Sequence, residues 1–382
     1  MADFIGATFD SREVTPGMLF VALKGENADG HDFIEDALKK GAVGIVDGID
    51  ELTIIASQYR NELKAKVIAV TGSAGKTTTK ELLKALLSTV GTVHATNGNF
   101  NNHIGLPITI LNCPKDADYL VLEMGSNHPG EIAHLCSIAK PDAGVITNIG
   151  TAHLEFFGDK SGIAREKSAL FSSLSDSATA IVADNVDELD LIRKLSIPPL
   201  TEVDTTEMWI EGVMEGVLPG EHNVANAALA FKLAEKFGVT KEGAIKALEN
   251  FSLPGSRWKK RIINGVTYID DTYNASPDSM MAALKAFSKM PCEGKRVAVL
   301  GDMFELGENA LELHKKVFDY ALRLGIELVI GVGEYSSQCL CNLAYKSLNP
   351  LKKKFRVDVS SGDLVLLKAS HAMKLGELLD CL

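Results

Sequence analysis

Seven consecutive residues, Gly72-Ser73-Ala74-Gly75-Lys76-Thr77-Thr78, combine types suited to phosphate chemistry. Gly72 and Gly75 permit a tight turn that brings backbone N–H groups close to an anion. Lys76 offers a positive charge to terminal phosphates, and Thr77 offers a hydroxyl to Mg²⁺. The strict phosphate-loop pattern starts with a glycine where this chain has Val70, so the match is to a shorter form, Thr-Gly-x-x-Gly-Lys-Thr-Thr. An ordinary strand-to-helix turn is the bland alternative. Glu123 and His153 lie at or just past the ends of two apolar runs. With Thr77 they would present a hydroxyl, a carboxylate and an imidazole to Mg²⁺. The stretch Asn97-Gly98-Asn99-Phe100-Asn101-Asn102-His103 offers amide donors and acceptors to a polar ligand, or is only a turn cluster. Ser11-Arg12 and Lys24-Gly25 flank a turn and a strand and could meet an anion on one edge; a solvated rim is the blander and commoner reading.

These residues need elements to hold them. Val67-Ile68-Ala69-Val70 is a continuous apolar run of the kind buried in a parallel sheet, and Lys80 to Ser88 carries Leu82, Leu83, Leu86 and Leu87 on one helical face. That helix points its N-terminus at the glycine loop. Tyr119–Met124, Ala143–Asn148 and Thr179–Ala183 read as further strands, and all strands of a parallel sheet open their C-terminal ends on one edge. Before them, Met18–Leu23 and Gly44–Val46 read as strands, and His31–Lys40 as a helix with Phe33, Ile34, Ala37 and Leu38 on its apolar face. After them, Pro219–Asn226 opens an alanine-rich helix with Asn223 as a reasonable N-cap. A last α/β stretch has strands ending at Asp271, Asp302, Gly331 and Lys368, with Tyr273–Asp278 leading into a helix and Arg257 in the preceding connection. The expected architecture is α/β in three domains. These are a small N-terminal α/β domain (1–64), a central P-loop mononucleotide-binding domain with a mostly parallel sheet (65–253), and a C-terminal Rossmann-like domain (254–382).

Composition narrows the class. The chain has 382 residues, 46% hydrophobic and 23% charged, ordinary for a globular protein. Its formal net charge of −11 argues against general affinity for nucleic acid. The six cysteines show no CxxC pair and read as reduced packing residues. The opening MADFIGATFDSRE lacks a basic-then-apolar leader, and no apolar run is long enough to span a membrane, so a cytoplasmic protein is expected.

Nine segments occur in an order that resembles the Mur ligase family, ATP-dependent amide-forming enzymes of cell-wall synthesis. They are DSREVTPGMLFVALKG, VTGSAGKTTTKE, NGNFNNHIGLP, LEMGSNHPGEIA, TNIGTAHLEFFG, GIAREKSALF, LPGEHNVANAALA, DDTYNASPDSMMAAL and LGDMFELGE. The resemblance implies ATP, two Mg²⁺ and two small-molecule substrates, a UDP-N-acetylmuramoyl-tripeptide and D-alanyl-D-alanine, joined through an acyl phosphate by a monomer. It implies that Ser11, Arg12, Lys24 and Gly25 meet the uridine diphosphate substrate, with Asn99 and Asn102 near its peptide. It assigns Gly72 to Thr78, Asn223, Asn226, Arg257 and Asp271 to ATP, and Thr77, Glu123 and His153 to metal. Lys167 matches a lysine that many members carry as a carbamate, which completes a magnesium site; a helix-surface lysine is the plain alternative. Tyr273, Asn274 and Ser276 match the place of the incoming dipeptide. The chain departs from the family in its short segment between Asn185 and Leu218, and in Ala369 and His371, where a glycine and an arginine are usual. Other ligases of the family, a P-loop switch or motor NTPase, and a binding protein without turnover are the rival readings.

Overall fold

The computed structural model describes residues 4–25, 28–151 and 154–382. The chain divides into two compact units, one formed by 1–149, 161–205 and 226–248, the other by 150–160, 206–225 and 249–382.

The first unit holds two sheets. A small parallel one has β1 (Ala7–Thr8), β2 (Leu19–Ala22) and β3 (Gly44–Asp47) in that order. The helix expected over His31–Lys40 begins as a 3₁₀ turn, Gly30–Phe33, tied by the Asp29 side chain, and becomes α-helical only over Ile34–Lys39. Its apolar face is shallower than the sequence suggests: Ala37 is buried, while Phe33 and Leu38 are 44% and 50% exposed. Three short strands offer too little surface to cover a full helical stripe.

The second sheet is parallel throughout. Its strands are β4 (Lys66–Thr71), β5 (Val93–Ala95), β6 (Tyr119–Glu123), β7 (Ala143–Ile146), β8 (Thr179–Ala183) and β9 (Leu200–Val203), in the spatial order β5-β6-β4-β7-β8-β9. Val67 to Val70 are fully buried, as a central strand covered on both faces requires. The helix Lys76–Leu87 follows β4 and buries Leu82, Leu83, Leu86 and Leu87. The strand order reverses at β4, so the loop after it stands where open α/β sheets bind ligands.

The second unit holds a mixed sheet. Its strands are β10 (Lys259–Ile263), β11 (Val266–Asp270), β12 (Arg296–Gly301), β13 (Leu328–Val332), β14 (Leu343–Tyr345) and β15 (Leu364–Lys368), in the order β10-β11-β15-β12-β13-β14. Only β10–β11 is antiparallel, turning at Asn264-Gly265, where both residues have positive φ (52° and 79°). Asn-Gly is the preferred tight-hairpin pair, because both positions need φ > 0. Apolar clusters cover both faces of this sheet, one around Phe287 and Phe318, the other around Tyr268 and Phe355. The helix expected to be capped by Asn223 starts at Glu221, which places Asn223 inside its first turn.

Among the described residues no helix is long and apolar enough to cross a membrane.

Candidate functional site

The glycine loop is shaped by what crowds it. Gly75 has φ +79°, and a Cβ there would stand 2.5 Å from the Asn226 carboxamide oxygen. Gly72 has φ +145°, and a Cβ there would collide with the Thr147 hydroxyl. Neither position tolerates a side chain. The end of β7 grips the loop from beside it. Thr147 Oγ1 donates to the Ala74 carbonyl (2.5 Å), Ala74 N–H donates to Asn148 Oδ1 (2.8 Å), and Ser73 N–H donates to the Asn148 carbonyl (3.1 Å). Lys76 Nζ lies over the loop, donating to the carbonyls of Gly72 (2.8 Å) and Ser73 (3.3 Å). Thr78 follows in the first turn of the helix. Sequence reading did not single out Thr147 and Asn148, although both end an apolar strand on the ligand edge.

Thr77 and Glu123, distant in sequence, meet because β4 and β6 are neighbours: Thr77 Oγ1 donates to Glu123 Oε2 at 2.8 Å. Glu123 is buried, and its other oxygen accepts from Asn101 Nδ2 at 2.8 Å. Asn101 is held in turn, since its carbonyl accepts from Gly125 N–H (2.9 Å). Behind the acid, Glu123 N–H donates to Thr96 Oγ1 (3.0 Å), and the buried Lys80 donates to the Thr96 carbonyl (2.6 Å) while pairing with Glu81. The asparagine that reaches the acid is therefore Asn101. Asn99 and Asn102 stand exposed, and Asn102 Oδ1 ties the start of the helix Gly105–Leu111 by accepting from Ile104 and Gly105 N–H (3.1 and 2.9 Å).

Lys167 is no surface lysine. It is 2% exposed on the helix Lys160–Ser172 and donates to Ser126 Oγ at 2.6 Å. Burial, and secondarily the charge of Lys76, push its ammonium down to about 7. Its neighbour Glu166 is also buried and accepts from Gly130 and Ile132 N–H (2.7 and 2.8 Å), which fixes the Ser126–Ile132 segment against this helix. His153 lies outside the described residues. Among the described residues no cluster of three or more His, Cys, Asp or Glu is placed to hold a metal. A hydroxyl and one carboxylate still suit Mg²⁺, which keeps waters and takes further oxygens from bound phosphates.

Near β1, Ser11 is buried and its carbonyl accepts from Lys40 Nζ (2.9 Å). Arg12 is exposed and forked onto Asp10, whose carboxyl is lowered to about 2 chiefly by that bond. The backbone of Lys24 faces that of Asp29 in an isolated antiparallel β-bridge, and Gly25 N–H donates to the Ala28 carbonyl (2.9 Å). Phe9 touches Phe100 (ring centroids 5.7 Å), linking this region to the asparagine loop.

In the second unit, Asp271, Tyr273 and Asn274 follow the end of β11. Asp271 Oδ1 accepts from Trp258 N–H (3.2 Å), and Oδ2 from Lys368 Nζ (2.6 Å). Tyr273 N–H donates to the Ser256 carbonyl (3.0 Å), and the Arg257 guanidinium lies over the Tyr273 ring at 3.3 Å. Asn274 is exposed, its side chain turned onto Ala275 N–H (2.9 Å). Ser276 caps the helix Pro277–Lys289 in a reciprocal bond with Ser279. Asn223 is buried and donates to the Pro219 carbonyl (2.9 Å).

A cleft of about 590 Å³, lined by Lys66, Cys136, Lys140, Ser173 and Thr179 among others, opens at the opposite edge of the parallel sheet. That is the strand N-terminal edge, away from the glycine loop, so it does not carry the chemistry.

Comparison with known proteins gives a consistent picture. Three family models match: "Mur ligase family, catalytic domain" over residues 4–90, "Mur ligase middle domain" over 70–207, and "Mur ligase, glutamate ligase domain" over 256–371. The chain is 35% identical to the UDP-N-acetylmuramoyl-tripeptide--D-alanyl-D-alanine ligase of Bacillus subtilis, covering 98% of this chain and 92% of that one. It is 37% identical to the Escherichia coli enzyme of the same name, covering 86% and 81%. Among solved structures, MurF from Acinetobacter baumannii superposes with a TM-score of 0.85 at 29% identity, covering 98% of this chain and 92% of the other. MurF from Thermotoga maritima in complex with ADP gives 0.85 at 31% identity, covering 100% and 98%.

Proposed function

This chain belongs to the Mur ligase family and is an ATP-dependent ligase that adds D-alanyl-D-alanine to UDP-N-acetylmuramoyl-tripeptide in peptidoglycan synthesis, and we propose that the residues around the Gly72–Thr78 loop carry out its phosphoryl transfer. The observation that carries this assignment is the pairing of Thr77 with Glu123 at 2.8 Å beside a loop whose glycines cannot be replaced.

Backbone N–H groups of the loop and Lys76 receive the ATP phosphates. Lys76, now turned onto loop carbonyls, would exchange those acceptors for phosphate oxygens. The terminal carboxylate of the tripeptide attacks the γ-phosphorus and forms an acyl phosphate with release of ADP. The dipeptide amine, having lost its proton, attacks the acyl carbon, and phosphate leaves. The protein supplies position and charge rather than covalent chemistry. Thr77 and Glu123 would hold Mg²⁺, and Lys167 as a carbamate would hold a second. Bound there, the metal would neutralise phosphate charge. Carbamylation needs a neutral amine, and burial brings Lys167 to about 7, where neutral and charged forms are comparable. His153 is proposed as a further ligand.

Asn226, packed against Gly75, and Asn223 on the same helix are assigned to the adenine. Arg257 is assigned to the phosphates and Asp271 to the ribose. Tyr273, Asn274 and Ser276 are assigned to the dipeptide, Ser276 through its place at a helix start. Ser11, Arg12, Lys24, Gly25, Asn99 and Asn102 are assigned to the nucleotide-linked tripeptide. Because it uses ATP and a nucleotide-linked substrate, the reaction is proposed to take place in the cytoplasm, and the chain is proposed to work as a monomer.

The test is phosphate release with Mg·ATP, UDP-N-acetylmuramoyl-tripeptide and D-alanyl-D-alanine, each omitted in turn, with the pentapeptide product followed by mass. Release that requires all three, with product in step, is expected. Release indifferent to the peptide substrates would instead indicate a plain NTPase.

A further inference from the structure

The end of β15 takes no part in the assignments above, yet it holds the turn that carries several of them. Lys368 is its last residue. It is 4% exposed, and its ammonium is committed to that turn, donating to Asp271 Oδ2 (2.6 Å) and to the Asn274 carbonyl (3.0 Å). One buried cation thus spans both ends of Asp271-Thr272-Tyr273-Asn274. Asp271 passes the restraint on, because its other oxygen accepts Trp258 N–H, next to Arg257. The Ser256 carbonyl, on the other side of Arg257, accepts Tyr273 N–H. Arg257 is therefore pinned at both neighbours, and its guanidinium rests on the Tyr273 ring. Three residues beyond Lys368, His371 leaves the sheet and sets its ring against the same tyrosine (centroids 5.7 Å, planes at 47°). His371 is otherwise exposed.

We propose that Lys368 and His371 are positioning residues of the ligase reaction: Lys368 fixes the Asp271–Asn274 turn and, through it, Arg257, while His371 fixes the Tyr273 ring. This rests on the reading that Arg257 and Asp271 serve ATP and that Tyr273 serves the dipeptide. It makes separable demands on the two positions. Lys368 acts on a turn that serves both substrates. His371 acts on one ring, through contact area rather than charge.

The test uses the full-length enzyme and four variants, with KM for ATP, KM for D-alanyl-D-alanine, kcat and the thermal midpoint measured for each. His371→Ala is expected to raise the dipeptide KM about three- to tenfold, the scale of an aromatic contact, with the ATP KM and the midpoint little changed. His371→Phe, which keeps a ring and removes the polar nitrogens, is expected to restore it. Lys368→Met is expected to lower kcat/KM for both substrates by about tenfold or more, because it leaves Asp271 without its cation. A general loss of stability would move the midpoint without this split. Unchanged dipeptide KM in His371→Ala, or failure of the phenylalanine to restore a raised value, overturns the role of His371. Normal constants for both substrates in Lys368→Met overturn the role of Lys368. Should Lys368→Met fail to fold, the histidine pair still decides its half, and Lys368→Arg decides the other: it keeps the charge but not the fit, so unchanged constants for both substrates overturn the role and raised ones support it. Tyr273→Ala separates the two levels. An unchanged dipeptide KM in that variant removes the assignment of Tyr273 itself, and the role of His371 with it.

Discussion

The C-terminal edges of the two large sheets solve the same problem in opposite ways. At the ends of β4 and β6 the buried cation Lys167 is held by a hydroxyl, and its ammonium is pushed down to about 7. At the ends of β11 and β15 the buried cation Lys368 faces a carboxylate at 2.6 Å, and that carboxylate has both oxygens bonded. Burying a charge is costly unless it is paired. The second edge meets that cost inside the protein, so its geometry is set before any ligand arrives. The first leaves its lysine near neutrality, with Lys76 resting on carbonyls. It is arranged for charge that ligands bring, phosphates above all.

The sharpest way to break this contrast is at Lys76. Lys76→Ala should reduce ATP turnover by at least about 10²- to 10³-fold, the scale for removing one preorganised charge-stabilising donor. A thermal midpoint measured alongside separates loss of phosphate binding from loss of the Lys76 bonds to the carbonyls of Gly72 and Ser73. Near-normal phosphate release would show that the loop does not cradle the transferred phosphate.

Lys167 gives the next largest effect, about a hundredfold in kcat for Lys167→Met if the side chain carries a metal-binding carbamate. The pH dependence is specific. A buried lysine at about 7 gains neutral amine as pH rises through that value, so a ¹³C-bicarbonate-derived carbamate signal should grow over the same range and vanish in Lys167→Arg. Stability should follow the same sign. Between about 7 and the ordinary lysine value of about 10.4 the unfolded chain binds more protons, so raising the pH favours the folded state. A parent protein showing no bicarbonate-dependent signal at any pH would refute the carbamate and leave Lys167 as a buried amine on Ser126.

Much of the first edge was legible in the sequence. An apolar run, a glycine loop and a leucine-faced helix form one local unit, and β4, the loop and Lys76–Leu87 appear where the pattern puts them. Glu123 was legible because parallel strands share an edge. What failed was irregular backbone. Nothing periodic tells which asparagine of Asn97–Asn102 turns inward, and it is Asn101. Lys80, Glu166 and Lys368 also escaped attention. Charged residues are normally solvated, whether on a helix, as Lys80 and Glu166 are, or at a strand end, as Lys368 is, and only tertiary packing shows that these are buried. In the second unit the strands were legible from their apolar runs, but the hydrogen bonds joining Ser256–Trp258 to Asp271–Tyr273 lie in loops without a repeat.

The second edge has its own weak point under acid, and it sharpens the contrast with Lys167. His222, beside Gly220 and on the helix that carries Asn223, is driven by burial down to about 4, although Asp271 pulls it up. An unfolded histidine titrates near about 6.5. Between these values the unfolded chain holds the extra proton, so stability is lost as pH falls from about 6.5 to about 4, at up to about 1.4 kcal/mol per pH unit. Both tryptophans, Trp209 and Trp258, belong to the second unit, so selectively excited tryptophan fluorescence follows that unit. Urea melts followed by fluorescence should lose stability over this window in the parent and lose less in His222→Gln, which cannot protonate. Parallel curves for the two proteins would mean that His222 is as solvated in the folded state as in the unfolded one, and that this histidine is no counterpart in the second edge to the desolvated Lys167 in the first.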